Sequence, residues 1–273
     1  MLRVETADGW LLITHPDHAR LAGAFASKWG NAAFQRPRPR EKVLRGIACH
    51  DDGWAERDSN PSITRQGKPS AFSIELVGKY AAFEEIDMED YLAVREAAVR
   101  RIAQEDPYAA LLISMHTFNL LTERADRSTI RPSGLVLLDK FLDRQCLFQS
   151  ELGQALDQDQ SLRDDDRAKQ VILDQFHLLQ ACDNLSLLSC VAFDLPSHLL
   201  HPLRQNDGSA CEVQVLPVGV RHFRLVPWPF VEPELNFYFP ARKMEQKQFS
   251  SPADLVTAYH AGKGVEITVT LTQ

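Results

Sequence analysis

The sequence predicts a mainly α-helical fold carrying a small antiparallel β appendage. Three observations lead there: segments between residues 16 and 193 whose apolar positions recur at helical spacing, a proline-rich change of texture after Pro196, and an alternating run near the C-terminus. The expected organisation is an N-terminal β-hairpin over 1–15, a helical domain over 16–200, and a β-rich appendage over 201–273 packed on the same domain. The 273 residues exceed one typical domain of roughly 100 to 200 residues, so a large domain with an addition accommodates them.

The elements follow in chain order. Arg3 to Thr14 alternates around Asp8-Gly9, a dipeptide that supplies the positive φ angles of a tight hairpin turn. Pro16 suits a first helical turn and Gly30 a helix end, which predicts a helix over 16–29 with Leu21, Ala22, Phe25 and Trp29 inward. His18 falls on that same face. The segment Arg36 to Arg40, "RPRPR", is a stiff basic connector because residues before proline avoid helix. From Glu41, the spacing Val43, Ile47, His50, Asp51, Trp54 marks one face of a second helix that Gly53 ends, and Asn60 to Ser73 forms a polar loop.

A third helix is expected from Met88 to Gln104, capped by Asp87 and stopped by Asp106-Pro107, with Tyr91, Val94, Ala98 and Ile102 as its apolar stripe. The next segment, "PYAALLISMHTFNLL", is apolar nearly all round, the pattern of a helix surrounded by others, with His116 at its middle. A fifth helix covers about 134–156 and a sixth about 167–193. Along the sixth, Ile172, Phe176, Leu179, Asp183, Leu187 and Cys190 share a face. A buried, ionised aspartate costs several kcal/mol or more when alone, so Asp183 must be paired, protonated or bound to a cation. Antiparallel strands are expected from Cys211 onward, the last over 265–271, with the N-terminal hairpin joining them in one small sheet.

Composition narrows the function. A net charge of -7 offers no electrostatic footprint for nucleic acid. Five cysteines without a C-x-x-C pair suggest neither a disulfide framework nor a thiolate zinc site, and they are expected to be reduced, buried thiols. No apolar run approaches the roughly 18 residues of a membrane span, and the N-terminus lacks a signal-peptide pattern, so a cytoplasmic location is expected.

Four helices thus each place a ligand-type residue inward: His18, the pair His50 and Asp51, His116, and Asp183. Imidazole nitrogens together with carboxylate oxygens suit a divalent transition ion such as iron, manganese, nickel, cobalt or zinc. Consecutive helical residues diverge by about 100°, so His50 and Asp51 can share one ion only near a helix end, where the backbone adjusts.

The order H...HD...D on successive helices, carried by "DHARLAG", "CHDDGW" and "CDNLSLLSC", resembles the HD superfamily of metal-dependent phosphohydrolases. More narrowly, "PDHARLAG", "HDDGW" and "DNLSL" look like the DUF3891 proteins, a bacterial family. The resemblance spans Pro16 to Phe193 and implies an HD-type helical bundle. It implies His18, His50, Asp51 and Asp183 as metal ligands, His116 as the extra histidine of some two-metal members, and one or two ions. Asp52 becomes a candidate to support the ligands from behind or to act as general base, and Asp183 or Asp52 would orient the attacking water. The implied partner is a small phosphorylated metabolite or nucleotide, with a homo-oligomer left open. Arg65, Lys68, Arg124 and Arg127 are the basic residues on offer for a phosphate, unranked by the sequence. His177 is left out, because six positions before Asp183 turn it about 120° away. His15 precedes Pro16 and is expected outside the helix. Two other readings stand beside hydrolysis: a di-iron reaction with oxygen, and a binding protein that keeps the pocket without turnover.

Overall fold

The computed structural model describes residues 1–77 and 87–273. The chain runs β1 (Leu2–Glu5), β2 (Trp10–Ile13), α1 (His15–Lys28), α2 (Arg40–Cys49), a 3-10 turn at Asp52–Trp54 and α3 (Ala55–Ser59). The long helices α4 (Met88–Ala103), α5 (Pro107–Glu123), α6 (Pro132–Gln158) and α7 (Lys169–Cys190) follow. Then come β3 (Ser197–His198), β4 (Leu203–Arg204), β5 (Ala210–Cys211), β6 (Gln214–Gly219), β7 (His222–Val226), β8 (Glu234–Met244), α8 (Pro252–Ala261) and β9 (Lys263–Thr272). No helix among the described residues is long and apolar enough to cross a membrane.

The expectation of a mainly α-helical bundle of HD type with a small β appendage is wrong. The strands form a seven-stranded sheet in the order β1-β2-β8-β9-β7-β6-β3, mixed because β7 and β9 run parallel, and only β4-β5 stands apart. The N-terminal hairpin is one edge of that sheet, paired through Trp10–Leu12 to Arg242–Met244 of β8. Prolines disguised the strands. Pro217 sits beside a register shift in β6, and Pro240 lies in β8 beyond the reach of β2, so the amide that proline lacks is not needed there. Along β8 buried and exposed residues alternate, as in a strand with one face on a core.

Helix α8 was not expected, although its signals are present: Ser251 Oγ accepts from the Asp254 amide at 3.2 Å and Pro252 opens the first turn. Helix α1 starts at His15, one residue before the expected Pro16, with Thr14 as its cap.

One hydrophobic core joins helices and sheet. Phe25 of α1 meets Phe237 of β8 edge-on, ring centroids 4.8 Å apart, so α1 is held between the sheet and helices α2 and α7. The buried residues of α4 are Met88, Leu92, Arg95, Val99 and Ile102, a stripe rotated from the expected Tyr91, Val94, Ala98 and Ile102. Cys182 and Cys190 are buried as expected, whereas Cys146 is exposed on α6.

Candidate metal centre

The site is built at the point where α2 ends. Cys49 is its last helical residue, and His50 and Asp51 then take φ, ψ of -59°, -24° and -119°, 17° before the 3-10 turn begins. That departure from helix turns two consecutive side chains toward the same place. Gly53 lets the turn press against α4, since a Cβ there would lie 2.6 Å from the Ala98 side chain.

Onto this corner α1 brings His18, α5 brings His116 and α7 brings Asp183. All five residues are at most 6% exposed. His18 Nε2 lies 3.1 Å from Asp51 Oδ2, and His50 Nε2 lies 3.2 Å from Asp183 Oδ1 and 4.0 Å from Asp51 Oδ2. His116 Nε2 lies 3.9 Å from Asp183 Oδ2, and His18 Nδ1 lies 3.6 Å from Asp183 Oδ1. Two overlapping groups, His18-His50-Asp51 and His50-His116-Asp183, each bring three ligand atoms within 4.8 Å of one another and could hold a metal ion.

The donors fit a cation. His50 Nδ1 donates to the Ile47 carbonyl at 2.7 Å, which turns Nε2 inward toward Asp183 Oδ1, 3.2 Å away. His18 Nδ1 pairs with Ser186 Oγ at 3.0 Å, and that hydroxyl donates to the Asp183 carbonyl at 2.8 Å. Anchoring one imidazole nitrogen so that the other faces inward is the usual outer support of metal-binding histidines.

Charges in the cluster are mutually compensating. Burial works against the charged form of His50, but the Asp183 and Asp51 carboxylates outweigh it and raise its pKa to about 9. Burial likewise opposes ionisation of Asp51, yet Arg95 and His50 hold its carboxyl well below the usual range. Asp183 is lowered too, against its burial, by His50 above all. Burial carries His116 down to about 4, so it is neutral and able to donate a lone pair at pH 7.

Sequence reasoning missed Arg95. Its Nη1 meets Asp51 Oδ1 at 2.7 Å, and its guanidinium lies 5.0 Å from the Trp54 ring centroid and 5.6 Å from that of Tyr91. The signal was legible: Met88, Leu92, Arg95, Val99 and Ile102 are spaced four, three, four, three, an inward stripe with an arginine in it. None of the four basic residues offered by the sequence takes this place, and Arg127 is bound to Asp139 at 2.6 Å. Asp52 is outside the cluster as well, its carboxylate engaged by Arg20 at 2.8 Å. His177 stacks on His201 at 4.3 Å, away from the ligands as expected. His15 belongs to a separate pair with Asp58, at 3.1 Å.

A cavity of about 10 Å³ adjoins the cluster, lined in part by His50, Trp54, Arg95, Val99, Ile113 and Thr117. A wider cleft, about 760 Å³, contains none of the cluster residues. Two of its three arginines are already occupied, Arg38 by Asp166 at 2.7 Å and Arg204 by Asp174 at 3.7 Å.

A family model described as a protein of unknown function, DUF3891, matches residues 1–246. The chain belongs to the DUF3891 family. No curated protein and no solved structure matches it. The DUF3891 match takes in every residue of the cluster and Arg95, and it ends before α8 and β9.

Proposed function

We propose that this DUF3891 protein is a metal-dependent phosphohydrolase that holds a divalent transition ion through His18, His50, Asp51, His116 and Asp183. Its substrate would be a small phosphorylated metabolite or nucleotide. The observation that carries the reading is the inward convergence of three imidazoles and two carboxylates. Buried ionic groups of this density are costly without a function for them. The ligand order also resembles that of HD phosphohydrolases, and the proposal extends that resemblance to activity, not to fold.

His50 offers a single lone pair, because Nδ1 is engaged by Ile47. Both ligand groups share it, which favours one ion over two. A divalent ion held there would lower the pKa of a water and withdraw charge from a phosphoryl oxygen. In the hydrolysis the water oxygen bonds to phosphorus as the ester P–O bond breaks, and Asp183 relays the water's proton to the leaving alkoxide. Arg95 neutralises Asp51 and adds positive charge beside the phosphate.

Enclosure of the cluster favours a second reading, a ligand-holding protein without turnover. The test begins with elemental analysis of the purified protein beside His50→Ala and Asp183→Ala. Stoichiometric metal in the parent and its loss from both folded variants supports the centre. Phosphate release from p-nitrophenyl phosphate or nucleotides with that metal, abolished in Asp51→Ala, supports the hydrolase. Metal without any release favours the second reading, and a parent that takes up no manganese, iron, nickel, cobalt or zinc sinks both.

A further inference from the structure

The small cavity beside His50 is the size of one water, for which a cavity of roughly 10 to 15 Å³ suffices. Two of its lining residues outside the ligand set each carry a buried polar atom without a hydrogen-bond partner: Arg95 Nε and Thr117 Oγ1. The residues themselves are 9% and 1% exposed. Buried polar groups are almost always paired, so two such atoms beside one cavity call for an occupant. Thr117 is the more telling. A threonine inside a helix ordinarily returns its hydroxyl to the carbonyl four residues back, as Thr122 of the same helix does to Phe118 at 3.0 Å. Thr117 forgoes that bond. Gly53, Trp54, Val94, Ala98, Val99 and Ile113 supply the remaining wall.

We propose that Thr117, together with Arg95, positions the attacking water in this cavity beside His50. This rests on the metal-dependent reading above. Arg95 Nε can only donate, and the Thr117 hydroxyl can donate or accept. The occupant is therefore a single oxygen whose lone pairs face two donors, the arrangement that suits a water losing its proton. Thr117 is a positioning residue and not a ligand, so its loss should leave the ion in place.

The test uses the intact protein loaded with cobalt(II), with fluoride as a probe of water size that only accepts hydrogen bonds. Fluoride and inorganic phosphate are titrated separately against the parent, Thr117→Val and Thr117→Ser, followed by visible absorption, with cobalt content measured throughout. Thr117→Val should keep the parent's cobalt and its thermal midpoint, because the hydroxyl bonds no other group of the protein and gives way to a methyl of the same shape. Its fluoride dissociation constant should rise about tenfold, the loss of one hydrogen bond to a charged acceptor. Thr117→Ser, which keeps the hydroxyl, should restore it to within about threefold. Full cobalt with unchanged fluoride affinity in Thr117→Val overturns the proposal. So does weakened phosphate with unchanged fluoride, which would give the cavity to a substrate oxygen. A parent that binds no cobalt overturns the metal reading itself and this proposal with it.

Discussion

Asp51 shows how one side chain can serve two neighbours. Arg95 takes Oδ1 at 2.7 Å and leaves Oδ2 toward His18 and His50, so the guanidinium fixes which oxygen faces the ligand cluster. Removing one partner of a buried pair strands the other charge, at about 3 to 5 kcal/mol. Arg95→Met should therefore lower stability by about 3 kcal/mol in the metal-free protein, and by clearly less when manganese is bound, because a cation beside Asp51 replaces the missing charge. Urea unfolding with and without manganese checks this, and an equal loss in both conditions would separate Arg95 from the ion site. A second carboxylate gives a prediction free of the cluster. Burial alone would raise the Asp58 pKa, but hydrogen bonds and charge from His15, with the Met1 amino group at 2.9 Å, hold it at about 2. A folded value below the ordinary 3.8 means that the stabilisation is fully present above about pH 4 and is lost as pH falls toward 2. The shift corresponds to about 2 kcal/mol. Asp58→Asn should remove that amount at pH 6 and flatten the stability profile between pH 4 and 2, as followed by circular dichroism.

At the scale of elements, helix ends were the most legible feature because their chemistry is local. Asp87 caps α4 as expected, and Asp106, expected to stop that helix, also caps α5, each accepting from the amide three residues on, at 3.2 and 3.1 Å. Helix faces were less legible. The stripe of α4 was misplaced because an arginine reads as solvent-facing unless a buried carboxylate awaits it, and Asp51 comes from another element. The candidate ligands His18, His50, Asp51, His116 and Asp183 were legible because each interrupts an apolar face. Thr117 was not, since a threonine within a helix carries no such contradiction. Asp52 illustrates the limit of adjacency: next to Asp51 in sequence, it leaves the helix end in another direction and meets Arg20. Caps give a direct test. Asp106→Ala should cost about 1 kcal/mol in urea unfolding. Because His116 lies several turns inside α5, metal content should not change, and its loss would show that the cap governs where the helix places its histidine.

The sheet was the least legible part of the molecule, because its pairing partners lie far apart in the chain. β1 and β2 come from the first 13 residues, while β8 and β9 come from the last 40. The alternation of β9 was visible, but nothing local says that it lies between β8 and a parallel β7. The sheet also bears on the site, through α1. This helix carries His18 on the side of the cluster and Phe25 against Phe237 of β8. A single apolar core spans the sheet and the helices, so loosening the sheet should loosen the ligands. Phe237→Ala removes a ring only 8% exposed, at a cost of about 3 kcal/mol or more. If sheet and helices form one cooperative unit, the thermal midpoint followed by helical circular dichroism should fall together with the temperature at which bound manganese is released. A fall in sheet signal alone, with helix melting and manganese release unchanged, would instead make the helical layer independent of the strands that flank it. In the cooperative case the candidate ligand set depends on a strand, β9, that lies beyond the matched residues 1–246 yet pairs with β8 along its whole length.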